Sequence, residues 1–266
     1  MIVTSTPLLR LSQGQLNLLA TCPRKFQHSY LEQLSSPVNP EQEAHLTLGS
    51  RFHLLMQQRE IGLPIDEILQ ADPQLQTWMS AFTNAAPEIL TNDNDQIFRE
   101  SEHYRTFQIK DYLITVIYDL LIADSQQAQI LDWKTYAQKP PKSSLAKNWQ
   151  TRLYMYVLAE TSKYLPENIS MTYWFVQVEG KPQSVQFIYD IKQHQKTAQD
   201  LNKLLDNLTE WLEKYQQGQE FPQTPEYRNA CEYCQYNVRC DRLQINQSEI
   251  ITHSLPKLEN IQEVSL

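Results

Sequence analysis

Long apolar runs are scarce in this chain. The longest, Tyr112 to Ala123, is interrupted by Asp119 and falls short of the roughly 20 apolar residues that cross a bilayer as a helix. A basic segment followed by an apolar core and a small-residue cleavage site is missing from the N-terminus, so a cytoplasmic protein without a membrane partner is expected. Positive charge is in deficit, with a net charge of −8 and a pI near 5.3. This argues against a passive nucleic-acid coat, which is basic overall, but leaves room for an enzyme with a local basic groove. Such a protein binds nucleic acid non-specifically only weakly and in a salt-sensitive way. No internal repeat and no G-x-x-x-x-G-K-[ST] phosphate loop occurs. Cysteine is limited to Cys22, Cys231, Cys234 and Cys240. A reducing compartment disfavours two structural disulfides, and four thiols are the number that closes a tetrahedral zinc site or an iron–sulfur cluster.

What is present is the composition of a globular protein, 41% hydrophobic and 20% charged over 266 residues, enough for one large domain or two small ones. Residues 1–246 read as a single domain and 247–266, polar throughout, as a flexible tail. Ser12 is a plausible N-cap for a helix reaching Tyr30, with Pro23 breaking it and Cys22 at the joint. A Pro/Ser linker, Ser35 to Pro40, precedes a second helix, Glu41 to Glu60. Gly49 in that helix permits close approach of another chain segment, and His53, four residues on, shares its face. Residues 54–95 read as a helical elaboration, with one helix over Pro64 to Thr91 and a polar loop at Asn92 to Gln96.

Ile97 to Lys134 has the alternation of a three-stranded antiparallel meander. Glu100 and Glu102 lie on one face of its first strand. Val116 to Thr135 (VIYDLLIADSQQAQILDWKT) forms the other two, joined at Asp124–Gln129. Asp119 and Asp132 thereby come to neighbouring strand ends. Asp132 and Lys134 leave one strand face together. Two carboxylates suit a hard divalent cation, and an ammonium beside it can assist a water or neutralise a phosphate. The same residues also fit a plain hairpin with a solvated ion pair.

Lys139 to Lys147 is a basic, Pro-rich loop beside this stretch, and a helix follows from Ser144 to Lys163. Gln150 and Tyr154, at i and i+4, share one of its faces. Strands are expected at Ile169–Val178 and Ser184–Tyr189, then an amphipathic helix from Gln193 to Tyr215 ended by Gly218. An extended linker leads into the cysteine cluster, residues 231–240.

Taken in order, Gly49…His53, Asp119, Asp132-Trp133-Lys134 and Gln150-Thr151-Arg152-Leu153-Tyr154 resemble the motifs of the RecB-like branch of the PD-(D/E)XK nuclease superfamily. Cys22-Pro23-Arg24-Lys25-Phe26 with the terminal C-x2-C-x5-C resembles the iron–sulfur staple of AddB-type and CRISPR-adaptation nucleases. The resemblance implies an α/β fold with a restriction-endonuclease-like core, a central mixed β-sheet flanked by helices with an N-terminal helical elaboration. It implies His53, Asp119, Asp132 and the Trp133 carbonyl as ligands of Mg2+ or Mn2+, and Lys134 as the catalytic lysine. Gln150 and Tyr154 would support the site. Cys22, Cys231, Cys234 and Cys240 would hold a 4Fe-4S cluster, with Zn2+ as the rival occupant.

The implied activity is metal-dependent hydrolysis of DNA, as an exonuclease preferring single strands or ends, in repair, recombination or defence. A helicase or repair partner would act in trans. Two departures stand out: Tyr118 precedes Asp119 where proline is usual, and Val116 replaces a common glycine that opens space near the metal. The competing readings are a catalytically inactive DNA-binding module and an iron–sulfur structural or sensor module on the same fold.

Overall fold

The computed structural model describes residues 8–35, 40–90, 97–136, 138–177, 181–225 and 231–242. The expected tail and the Asn92–Gln96 loop lie outside the described residues, as does most of the Pro/Ser linker. The chain divides into a unit ending at Pro222 and a smaller one from Gln223 onward.

The first unit is built on a mixed six-stranded sheet. Its strands are β1 (Leu9–Leu11), β2 (Phe98–Ile109), β3 (Tyr112–Ala123), β4 (Ala128–Lys134), β5 (Ile169–Phe175) and β6 (Gln183–Ile188). β2, β3 and β4 form the expected antiparallel meander. β4 pairs in parallel with β5, which requires a crossover. That crossover is α7 (Lys142–Lys147) and α8 (Trp149–Glu160). The single helix expected over Ser144 to Lys163 is therefore two. The reason is Asn148, whose extended backbone ends α7 and whose side chain accepts from the Gln150 N–H to cap α8.

The other α-helices are α1 (Gln13–Thr21), α2 (Pro23–Phe26), α3 (Pro40–Glu60), α4 (Asp66–Ala71), α5 (Pro73–Ala85), α6 (Pro87–Leu90) and α9 (Ile191–Gln216). The long helix expected over Pro64 to Thr91 is three. Asp72 and Ala86 take non-helical conformations, and each is followed by a proline that opens the next helix. Ser12 caps α1 in a reciprocal capping box with Gln15, and the chain breaks at Cys22 as its Pro23 predicts. Gly218, at φ +84°, ends α9 with its N–H on the Tyr215 carbonyl. β1 is an element the sequence reading lacks.

Two apolar clusters cover the two faces of the sheet. One joins α1, α8 and α9 to Ile114, Val116, Tyr118, Ile130 and Tyr173. The other joins α3 and α5 to Leu120, Leu131, Trp133 and Trp174. β4 is buried on both faces, hence its unbroken Ile130-Leu131 pair.

Residues Tyr112–Ile114 of β3 pair with both β1 and β2, and residues Leu120–Ala123 pair with both β2 and β4. One edge of β3 is thus occupied by β2 along its length. The other is shared by β1 at one end and β4 at the other, and the stretch between them is open. Asp119 sits at the rim of that opening.

Candidate metal centre

β3 changes face at Asp119. Ile114, Val116 and Tyr118 point into the α8 cluster, but Leu120 points into the α3 cluster, and Leu121 and Ala123 resume the first. Strict alternation would keep Tyr118 and Leu120 together, so the strand carries an extra step at 119. β2 breaks opposite it. The ladder pairs Ser101 with Leu120 and His103 with Tyr118, which sets Glu102 across from Asp119. Glu102 has φ +50°, a left-handed conformation that costs a non-glycine residue on the order of 1 kcal/mol and tends to mark functional sites. Expected as one face of a regular strand with Glu100, Glu102 is turned instead toward Asp119 and His53, while Glu100 bonds to His103.

α3 supplies the third group. A Cβ on Gly49 would meet Thr135 Oγ1 at 2.8 Å, so glycine lets α3 lie against the end of β4. One turn later His53 Nδ1 is 3.3 Å from Asp119 Oδ1. The ligating atoms of His53, Glu102 and Asp119 all lie within 4.8 Å of one another, the group with metal-ligand spacing among the described residues.

The second carboxylate on this opening belongs to β4. Past Leu131 that strand leaves β3, and the Trp133 N–H donates to Asp119 Oδ2 at 2.7 Å. The Lys134 carbonyl accepts from Val176 N–H on the β5 side. Backbone groups alternate edges along a strand, so the Trp133 carbonyl faces the opening too. Asp132 is 1% exposed. Its Oδ2 accepts from Gln150 Nε2 at 2.6 Å, and its Oδ1 is 2.5 Å from Lys134 Nζ. Asp132 is thus held by Lys134 and Gln150 and lies outside the three-residue ligand group. The Tyr154 phenol lies near Gln150, and the Tyr154 carbonyl accepts from Tyr118 OH at 3.0 Å. The tyrosine that replaces proline at 118 therefore anchors α8 to β3. Val116, expected to crowd the metal, is buried in the α8 cluster, away from His53. Lys134 Nζ lies between the rings of Tyr136 and Tyr173, 6.0 and 5.3 Å from their centroids.

The electrostatics follow from crowding acids in a dry place. Burial pushes the Asp132 carboxyl well up and the Asp119 carboxylate adds to this, with Lys134 pulling partly back. Burial and Asp119 likewise raise Glu102. His53 and Lys134 are lowered by burial but held above their ordinary values, by Asp119 and by Asp132 respectively, as the largest opposing influences. Carboxylates that resist ionisation and cations that resist neutralisation describe a site short of positive charge. Asp132 Oδ1 is met by the Lys134 ammonium and by no other donor among the described residues, so a lone pair on it remains for a metal ion. Oxygen donors with one imidazole fit a hard divalent ion, manganese better than magnesium for the nitrogen.

The cysteines fall elsewhere. Cys22 is the joint between α1 and α2, where Arg24, two residues on, donates to the Phe221 carbonyl and pairs with Glu220. In the second unit Cys231, Cys234 and Cys240 stand in successive turns, half-buried. These three are not drawn into a ligand group with the 4.8 Å spacing, whereas zinc thiolates at about 2.3 Å from the ion lie within about 3.8 Å of each other.

A family model of the PD-(D/E)XK nuclease superfamily matches residues 10–241. Among solved structures the chain is similar to "Putative exonuclease" from Eubacterium rectale, at 11% identity over 88% of each chain with a TM-score of 0.55. It is also similar to SSO0001, at 12% identity over 91% of each chain with a TM-score of 0.42. No curated protein matches. The first likeness is one of fold, the mixed sheet flanked by helices of the restriction-endonuclease type. The family match spans nearly the whole chain and takes in every residue of the site described above, so the protein belongs to the PD-(D/E)XK nuclease superfamily.

Proposed function

We propose that this protein is a metal-dependent deoxyribonuclease of the RecB-like branch, an exonuclease acting on single-stranded DNA or duplex ends in repair, recombination or defence. The observation that carries the reading is the convergence of His53, Glu102 and Asp119 beside the Asp132–Lys134 pair. His53, Glu102, Asp119, Asp132 and the Trp133 carbonyl would hold Mg2+ or Mn2+, which when bound would activate water and neutralise negative charge on the phosphoryl oxygens. Lys134 keeps its proton beside Asp132 and presents an ammonium to the phosphate. Gln150 fixes the Asp132 carboxylate, and the Tyr154 phenol stands beside Gln150. Trp133 N–H fixes the orientation of Asp119. A helicase or repair partner acting in trans would supply separated strands to this site.

Labelled linear and circular DNA, single- and double-stranded, incubated with magnesium, manganese or EDTA, tests the proposal. Cleavage of linear strands that EDTA abolishes is expected. Binding without metal-dependent cleavage would instead identify an inactive DNA-binding module.

We further propose that Cys22, Cys231, Cys234 and Cys240 ligate a 4Fe-4S cluster. Two things support this, the C-x2-C-x5-C spacing and the anchoring of Phe221 and Pro222 to Arg24, which starts the linker beside Cys22. Iron and acid-labile sulfide in anaerobically purified protein are the expected result; stoichiometric zinc in a colourless preparation would refute it.

A further inference from the structure

A second concave site lies on the far side of α8. A cavity of about 570 Å³ opens between α7, α8, β6 and the start of α9. Its apolar floor includes Met155 and Phe187, and its lining carries Lys142, Lys147, Arg152 and Lys196 but no Asp or Glu. Four cations at one opening are out of keeping with a chain of net charge −8. Asp200 pairs with two of them, at 2.6 Å from Arg152 and 3.3 Å from Lys196. The Arg152 guanidinium is further fixed 4.5 Å above the Trp149 ring. Lys142 and Lys147 are exposed, and the Lys142 ammonium stands 5.3 Å over the Phe187 ring.

α8 connects this cavity to the metal centre. Gln150 reaches Asp132, while the next residues, Thr151 and Arg152, line the cavity. Across the sheet, β6 is two strands from β4, on the order of 10 Å at about 4.8 Å per strand.

Resting on the nuclease reading, we propose that this groove binds single-stranded nucleic acid next to the cleavage site. One unstacked base lies against the Met155–Phe187 floor, displacing the Lys142 ammonium from the Phe187 ring, and its neighbouring phosphates lie against Lys142 and Lys147. Charge complementarity selects a polyanion. The apolar floor selects a single strand, because a duplex keeps its bases stacked inside and offers only phosphates. The basic Pro-rich loop thus acts through its helical end, Lys142–Lys147, at the cavity bordered by β6, two strands from β4.

The test is fluorescence anisotropy of a labelled oligo-dT in EDTA across a salt series, with a hairpin duplex in parallel. Lys142→Gln/Lys147→Gln is compared with wild type and with Lys203→Gln, an exposed lysine of α9 outside the cavity. The account predicts that the double variant loses at least ten-fold in oligo-dT affinity. Its slope of log affinity against log salt becomes shallower by about 1.4, two phosphate contacts at about 0.7 each. Duplex binding changes less, and Lys203→Gln behaves as wild type. An unchanged slope, equal losses on both substrates, or a wild-type protein that does not bind oligo-dT at low salt would overturn it. Thermal unfolding of the double variant at the wild-type temperature shows that the loss is not unfolding. Hydrolysis of bis(p-nitrophenyl) phosphate by the wild type with manganese tests the catalytic reading separately. Its absence strikes the nuclease and leaves the binding comparison standing.

Discussion

The two faces of the sheet are covered differently. Under α1, α8 and α9 lies the larger cluster, fed by regular alternation along β5 and, as far as Tyr118, along β3. Under α3 and α5 the cluster is smaller, and β3 joins it only after its extra step at Asp119. The candidate metal centre draws on both. His53 comes from the α3 layer, Gln150 and Tyr154 from the α8 layer, Asp119 and Asp132 from the opening between β3 and β4, and Glu102 from the break in β2. The difference teaches that the α8 side orients Asp132 and Lys134, while the α3 side and the break at Glu102 build the ligand group. Variants on each side should therefore fail in different ways.

The largest effect is expected from Lys134→Ala on the α8 side. Cleavage should fall by about 10²–10⁴-fold, the range of a positioned proton-transfer or charge-stabilising group. Metal affinity should stay within a few-fold, read by Mn2+ titration. On the ligand side, Glu102→Gln should do the reverse, raising the manganese needed for half-maximal cleavage roughly 10- to 100-fold by analogy with lost metal-site partners. Saturating manganese should restore much of the rate. A Glu102→Gln protein with unchanged metal dependence would remove Glu102 from the site.

Next in size is the fit of α3 on β4. Gly49→Ala should destabilise the protein by about 1–3 kcal/mol, the usual cost of overpacking, because its Cβ meets Thr135 Oγ1 at 2.8 Å. Thr135→Ala in the same chain should recover most of this, a coupling that a denaturant-based double-mutant cycle measures.

The smallest effect is the pH dependence of metal stabilisation. Asp132 and Glu102 have folded pKa values raised above the unfolded ones. From the unfolded carboxylate pKa upward to the folded values, the folded state therefore binds more protons than the unfolded one. The metal-free protein accordingly loses stability as pH rises through that window. A divalent ion binds the ionised form and offsets the loss, so the Mn2+-induced rise in Tm should be larger at pH 8 than at pH 6. Equal shifts at the two pH values would contradict the crowded-acid account.

Much of this arrangement is legible in the sequence because the residues concerned sit in regular elements. Asp132 and Lys134 share a strand face by their spacing, Gln150 and Tyr154 share a helix face, and Gly49 and His53 are one turn apart. Glu102 escapes the same reasoning because its role depends on a broken strand. Alternation places it with Glu100, while its positive φ turns it toward Asp119. A trace of this survives in Tyr118-Asp119-Leu120-Leu121, where two adjacent leucines shift the phase of the strand. β1 escapes because Leu9–Leu11 is too short to show a period and is held by parallel pairing to a distant strand. The break at Asn148 is written in a capping residue, but the apolar pattern runs through it. The groove at Lys142–Lys147 is half legible: its charge is in the sequence, and its apolar floor is assembled only when β6 and α9 pack beside α8.

The most direct test of the account is the stoichiometry of manganese bound by wild type and by Asp119→Ala, followed by the EPR signal of free Mn2+ alongside cleavage of linear single-stranded DNA. The account predicts at least one tightly bound ion in the wild type, lost together with cleavage in Asp119→Ala while the fold is kept. An Asp119→Ala protein that still binds manganese and cuts DNA at the wild-type rate would contradict it.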